Sequence, residues 1–188
     1  ATSPTKSFTV NKRDATLTIN TLNSVKYNDK VTVTGKFTDE DGSALINSNV
    51  KIKVNNETFT VKTDNKGVYN YTFRAKIAGK NNVTVSYPGN TRYNPCTTVT
   101  KSFTVNKKDS HLTINSIPQT TKGKTVTITG KFTNADGAAL INSNVKLTIN
   151  NQSFTVKTDA TGIYKYTYTT TTKGTNNVTV SYPGNTKY

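Results

Sequence analysis

The sequence predicts an all-β protein of two tandem β-sandwiches. Three observations carry that prediction: apolar and polar residues alternate in short runs, turn formers punctuate the runs, and the whole pattern occurs twice. VTVSYPGNTRY at 83–93 returns as VTVSYPGNTKY at 178–188. In the first copy Val83, Val85 and Tyr87 share one face of an extended segment, Pro88-Gly89 presets a turn, and Tyr93 returns with a ring to bury. Aligning Ser7 with Ser102 gives a gapless offset of 95 that runs to Tyr93 and Tyr188, with 53 identities over 87 positions. A unit of about a hundred residues is of ordinary domain size, so each copy can bury its own core.

Composition agrees with the period. The 188 residues include 38 threonines, 24 asparagines and 10 tyrosines, with no Met or Trp. Threonine and tyrosine suit a pleated surface, and asparagine and glycine suit turns. No stretch repeats apolar residues at helical spacing for long enough to make a stable helix.

Taken in order, residues 1–11 end in an alternating segment with Phe8 and Val10 on one face. This segment is equivalent to 96–106, which reads as the last strand of the first domain, so 1–11 is expected to be the last strand of a preceding repeat. Leu17 and Ile19 mark a first strand, and Val31, Val33 and Phe37 mark a second. Gly35 in that second strand takes an inward slot, the sign of a bulge or a close approach. A loop over 39–49 carries a small apolar pin at Leu45-Ile46. VKIKV follows at 50–54, and Asn55-Asn56 is a hairpin signal leading to Phe59 and Val61. Asp64 to Gly67 turns the chain into VYNYTF at 68–73, after which come 83–87 and 97–106. About seven strands at this spacing fit an immunoglobulin-like sandwich. The expected domains are 12–107 and 108–188, the second lacking its own final strand. The junction VNKKDSHLTI is short, which favours an extended rod.

Three parts of the unit resemble the bacterial Ig-like (Big) domains found in tandem in adhesin-like surface proteins of bacteria and methanogenic archaea. They are VTVTGKFTDEDGSAL, TDNKGVYNYTF, and VSYPGNTRY, which is similar to the family's Y-x-G-[DN]-x-x-Y ending. The resemblance spans the whole chain in two copies. It implies an extracellular, cell-surface sandwich that serves as a spacer or adhesive module.

Little in the sequence points to chemistry. His111 is the only histidine, and Cys96 is the only cysteine, so neither a catalytic triad nor a disulfide framework can be assembled. Asp39-Glu40-Asp41-Gly42 has the oxygen ligands of a calcium loop, but its repeat, Asn134-Ala135-Asp136-Gly137, has lost two carboxylates. No catalytic residue, metal ligand or cofactor site is expected, and the chain is read as a non-enzyme. The formal charge of +15 suits an anionic partner, but lysines spread over outward faces that keep strand edges soluble are the preferred reading. No basic run is long enough for a specific nucleic-acid patch. No apolar run reaches the length of a membrane span, so these residues are not expected to insert into a membrane, and any targeting or anchoring segment is expected outside them.

Five sequons, Asn56, Asn70, Asn82, Asn151 and Asn177, are glycosylation candidates. Lys101 and Lys6 fall in the inward phase of their strands. Each is a candidate for an amide crosslink, or more simply a strand-end lysine that snorkels to solvent. Residues 6–11 are identical to 101–106. Phe8 and Val10 are therefore candidate donor-strand residues that complete the second domain of a neighbouring copy, giving a head-to-tail filament; the alternative is a cut inside a longer array that leaves both ends frayed or the strand packed on its own first domain. The expected partners are copies of the chain or adjoining repeats, with cell-wall or cell-surface glycans as the alternative.

Overall fold

The period-two runs form strands because each places one apolar row against a facing sheet and one polar row in water. In the computed structural model, which describes residues 3–188, unit 1 ends at Asn106 and unit 2 begins at Lys107. Unit 1 holds β1 (Ala15–Leu17), β2 (Val25–Lys26), β3 (Lys30–Asp39), β4 (Asn49–Val54), β5 (Glu57–Lys62), β6 (Val68–Arg74), β7 (Gly79–Tyr87) and β8 (Cys96–Asn106). Unit 2 holds β9 (Ser110–Leu112), β10 (Thr125–Asn134), β11 (Asn144–Ile149), β12 (Gln152–Lys157), β13 (Ile163–Thr169) and β14 (Val178–Ser181). The described residues contain no helix.

In unit 1 a sheet ordered β1-β3-β6 faces one ordered β2-β8-β7-β4-β5. Val31, Val33 and Phe37 from the first sheet meet Val50, Ile52, Val83, Val85, Phe103 and Val105 from the second in one buried cluster. Unit 2 repeats the arrangement with β9-β10-β13 and β12-β11-β14. Its core holds Ile128 and Leu147 where unit 1 has Val33 and Ile52, swaps that keep the volume apolar.

Gly35 marks a close approach and not a bulge. The β3–β6 register runs unbroken past it, and a Cβ there would overlap both the Thr18 carbonyl and the Tyr69 ring. Tyr69 is fully buried and donates its hydroxyl to the Thr18 carbonyl oxygen. Tyr164 does the same over Gly130, donating to Thr113 O at 2.6 Å. The hairpin at Asn150-Asn151 has φ of 45° and 74°, the paired left-handed conformation that a tight two-residue turn requires and asparagine tolerates.

One expectation needs correction. Leu45 is buried but Ile46 is 57% exposed, so the loop pin is Leu45 alone. The loop is instead latched by buried Thr63, whose hydroxyl donates to Leu45 O at 2.6 Å and accepts from Ser48 N at 3.0 Å. Among the described residues, the N-terminal segment is not paired with unit 1 before Arg13. Ala1 and Thr2 lie outside the described residues, and residues 3–12 form no strand. Phe8 and Val10 are 89% and 81% exposed. Alternation specifies a face, but a strand also needs a neighbouring edge, and these residues have none. The chain first joins unit 1 at Arg13, whose N–H donates to Arg92 O at 3.0 Å and whose carbonyl accepts from Asn94 N at 2.9 Å.

Candidate functional site

The site is an open sheet edge, best defined by what covers the same edge in unit 1. There β7 lies between β4 and β8, and Val83 and Val85 are fully buried. β8 pairs antiparallel with β7, Val83 opposite Lys101, Asn81 opposite Phe103 and Gly79 opposite Val105. Phe103 and Val105 point inward with 4% and 1% exposure, and the Phe103 ring meets Phe73 edge-on at 6.1 Å. Along the far side of β8, β2 pairs in parallel, Val25 opposite Val105.

No described strand lies beyond β14 in unit 2. Three differences from unit 1 lie along this edge. β14 spans 4 residues where β7 spans 9. Val178, Val180 and Tyr182 are only partly buried, although their counterparts Val83, Val85 and Tyr87 are buried. Ile114 is 38% exposed while its counterpart Ile19 is 5% exposed. An open cavity of ≈ 900 Å³ lies between the sheets, walled by Ile117, Val126, Ile128, Ile149, Tyr168 and Val178. By the offset of 95, Tyr168 occupies the place of Phe73, the residue that Phe103 packs against in unit 1.

The mouth of this cavity is already shaped. Asn176 donates to Thr172 O at 3.1 Å and Gly174 O at 3.0 Å, its side-chain oxygen accepts from Asn150, and Asn177 N donates to Asn150 Oδ1 at 2.9 Å. Asn81 and Asn55 make the same network in unit 1. The Asn-Asn pairs at 81–82 and 176–177 are visible in the sequence, but only as sequons. Their structural role depends on a partner 26 residues away.

The remaining candidates are dispersed. Lys101 stays in the inward phase of β8, yet its side chain is exposed, as is that of Lys6. Lys101 lies opposite Val83 in the β7–β8 pair. Asn56, Asn70, Asn82, Asn151 and Asn177 are all exposed. His111 is exposed on β9 opposite Thr133. The acidic loop holds a guanidinium: Arg13 contacts Asp41, donates Nε to Glu40 at 2.9 Å and lies 3.5 Å from Asp39. Cys96 is buried with Sγ 3.1 Å from Ala15 O, and burial raises its thiol pKa, away from the reactive thiolate. Among the described residues no group of three or more His, Cys, Asp or Glu side chains is placed to hold a metal ion.

Against solved structures, the chain superposes on invasin, a bacterial integrin-binding protein, with a TM-score of 0.53 and 24% identity over 92% of the chain. Each unit is an immunoglobulin-like sandwich. Lower superpositions occur with a bacterial ice-binding adhesin (TM-score 0.39, 20% identity over 84% of the chain) and the Yersinia pseudotuberculosis adhesin InvE (0.41, 18% over 82%). The chain spans 37% of the invasin structure, 54% of the ice-binding adhesin and 51% of InvE. No protein-family model and no curated protein matches the chain. Likeness at this level establishes the immunoglobulin-like fold and nothing about ligand or partner.

Proposed function

We propose that the chain is a non-enzymatic structural and adhesive segment of an extracellular, cell-surface protein, and that its copies assemble head to tail by strand donation. The observation that carries this reading is one strand sequence in two settings. Lys-Ser-Phe-Thr-Val-Asn closes the sandwich of unit 1 at 101–106, and a second copy of that sequence lies exposed at 6–11. The fold shared with invasin and the resemblance to tandem surface domains support reading such an assembly as a stalk. Sedimentation velocity over a range of concentrations tests the reading. Growing species that disappear when Phe8 and Val10 are both changed to serine are expected, and a variant that still forms chains would refute donation.

A second reading, a module that binds cell-wall or cell-surface glycans, draws on one observation in unit 1. A cavity of ≈ 550 Å³ is lined by Phe59, Tyr71 and Phe73, with Asn56, Glu57 and Arg74 also around it. The Phe59 and Tyr71 rings stack at 4.5 Å. Stacked rings with polar neighbours suit a sugar face. A glycan array separates the readings: retention abolished by Tyr71→Ala favours binding.

A further inference from the structure

Resting on the glycan reading of the unit 1 cavity, we infer that its occupant is covalent: Asn56 is an N-glycosylation site whose first sugars fold back onto Phe59 and Tyr71.

The fold singles out Asn56 among the five sequons. It is exposed at the turn between β4 and β5 and lines the aromatic cavity, which none of the other four does. Asn70 sits inside β6 opposite Thr34, and Asn82 inside β7 opposite Ser102, where the flanking ladders hold the backbone extended. A hairpin turn instead presents both the acceptor amide and the hydroxyl two residues on.

Comparison of the two units gives an independent reason. Asn56-Glu57-Thr58-Phe59 becomes Asn151-Gln152-Ser153-Phe154. Both residues after the asparagine change, yet the acceptor, a hydroxyl at the second position after it and the phenylalanine all stay. Asn70-Tyr71-Thr72 becomes Lys165-Tyr166-Thr167, which loses the acceptor and keeps the ring. The ring pair is also retained, with Phe154 and Tyr166 at 4.7 Å.

The seat suits a sugar and lies within reach. Phe59 follows Asn56 by three residues on the edge strand β5, ~10 Å along the chain, a length that the first two sugars cover. Phe59 stacks on Tyr71 at 4.5 Å, Tyr71 lies beside Phe73 at 6.0 Å, and all three rings are half-buried. They leave apolar surface in water that the C–H face of a pyranose covers. Glu57 shares the phase of Phe59 on β5, and its charge, second to burial, raises the Tyr71 phenol pKa. Among the described residues the Glu57 carboxylate enters no salt bridge, which leaves its oxygens to accept sugar hydroxyls.

The mouth needs no rearrangement. Asn81 donates to Ile77 O at 2.8 Å and Gly79 O at 2.9 Å and accepts from Asn55 at 2.7 Å, and Arg74 is turned to Asn28 O at 2.9 Å. A few rings and one carboxylate make a weak site for a free sugar. A tether at Asn56 makes the same contact intramolecular, at an effective concentration on the order of millimolar. The modification balances with one co-reactant, a lipid-linked sugar pyrophosphate. The bond from Asn56 Nδ2 to the sugar C1 forms as the C1–O bond to the pyrophosphate breaks, and the proton lost from Nδ2 is matched by the oxyanion that leaves.

Secretion of the full chain from cells that perform N-glycosylation tests the inference. Glycopeptide mass spectrometry is expected to find Asn56 occupied. Timed release of that glycan from the native protein by a peptide N-glycosidase is expected to be about fivefold slower than from Tyr71→Leu or Phe59→Leu, with the isolated glycopeptide as the limit of free access. Leucine keeps the site apolar, and a cooperative melt shows that each variant is folded. An unmodified Asn56, or release equally fast with the rings present and replaced, would overturn the inference. The glycan reading is scored apart, on a glycan array with the Asn56→Gln chain from the same cells. Retention that Tyr71→Leu abolishes upholds that reading whatever the release rates, and no retention refutes it.

Discussion

At the scale of single residues, Tyr69 with Gly35 and Tyr164 with Gly130 show how a fully buried phenol is made tolerable. Each ring lies over a bare glycine of the middle strand and donates a hydrogen bond to a main-chain carbonyl just past the outer strand of the same sheet. Burial pushes both phenols above the ordinary tyrosine pKa. Tyr69→Phe leaves the Thr18 carbonyl without its donor, and urea titration is expected to show unit 1 weakened by about 1–2 kcal/mol. The glycine was legible, because an inward glycine in a strand implies that something comes close. Its partner was not, because nothing in a single sequence says that residues 34 apart on facing positions share that space. A second residue-scale device is the aspartate turn. Asp64 accepts from Val68 N and Lys66 N, both at 2.8 Å, and these bonds, the Val68 one foremost, hold its carboxyl below the usual range. In Asp159 the Thr161 hydroxyl leads, followed by Ile163 N. Because the folded-state values are depressed, the stabilisation is present above the ordinary aspartate pKa of ~3.9 and is lost as pH falls through the depressed values. Melting temperature against pH should therefore be flatter below about pH 4 for the Asp64→Asn, Asp159→Asn double variant than for the parent protein.

At the scale of elements, the same eight-residue sequence from Thr5 to Lys12 and from Thr100 to Lys107 has two fates. In β8 it contributes two buried side chains to a closed core, whereas at the N-terminus it contributes nothing to its own unit. Phe103→Ala is expected to cost about 3–5 kcal/mol in the unfolding of unit 1. Phe8→Ala should leave the melting of the dilute chain unchanged to within about 0.5 kcal/mol. A calorimetric scan of each variant checks both. Strand positions such as β3, β4 and β6 were legible from alternation and turn residues. The two-residue strand β2 was not, because it exists only through parallel pairing with a strand some 80 residues later. The exposure of residues 6–11 was hidden for the converse reason: their pattern describes how they pack once an edge is offered.

At the scale of the whole molecule, the charge of +15 is spread over strand faces, as the exposed Lys36, Lys51, Lys53 and Lys131 illustrate. The outer strands β5 and β12 end in Lys62 and Lys157, both exposed, where a charged side chain discourages unintended pairing. Attraction to an anionic polymer should therefore be diffuse. Retention on a polyanionic resin is expected to fall steeply as salt rises to about 0.5 M, with no single Lys→Gln change lowering it more than about twofold. A concentrated site would instead show one or two dominant lysines.

The duplicated Thr-Lys-Ser-Phe-Thr-Val-Asn-Lys segment also has a consequence for how the chain reaches its final state. During synthesis residues 5–12 leave the ribosome well before 100–107, at a time when the rest of unit 1 is collecting its sheets. The two copies are thus expected to compete for one edge of unit 1, and refolding with and without residues 1–11 should then differ in rate; equal rates would exclude that competition.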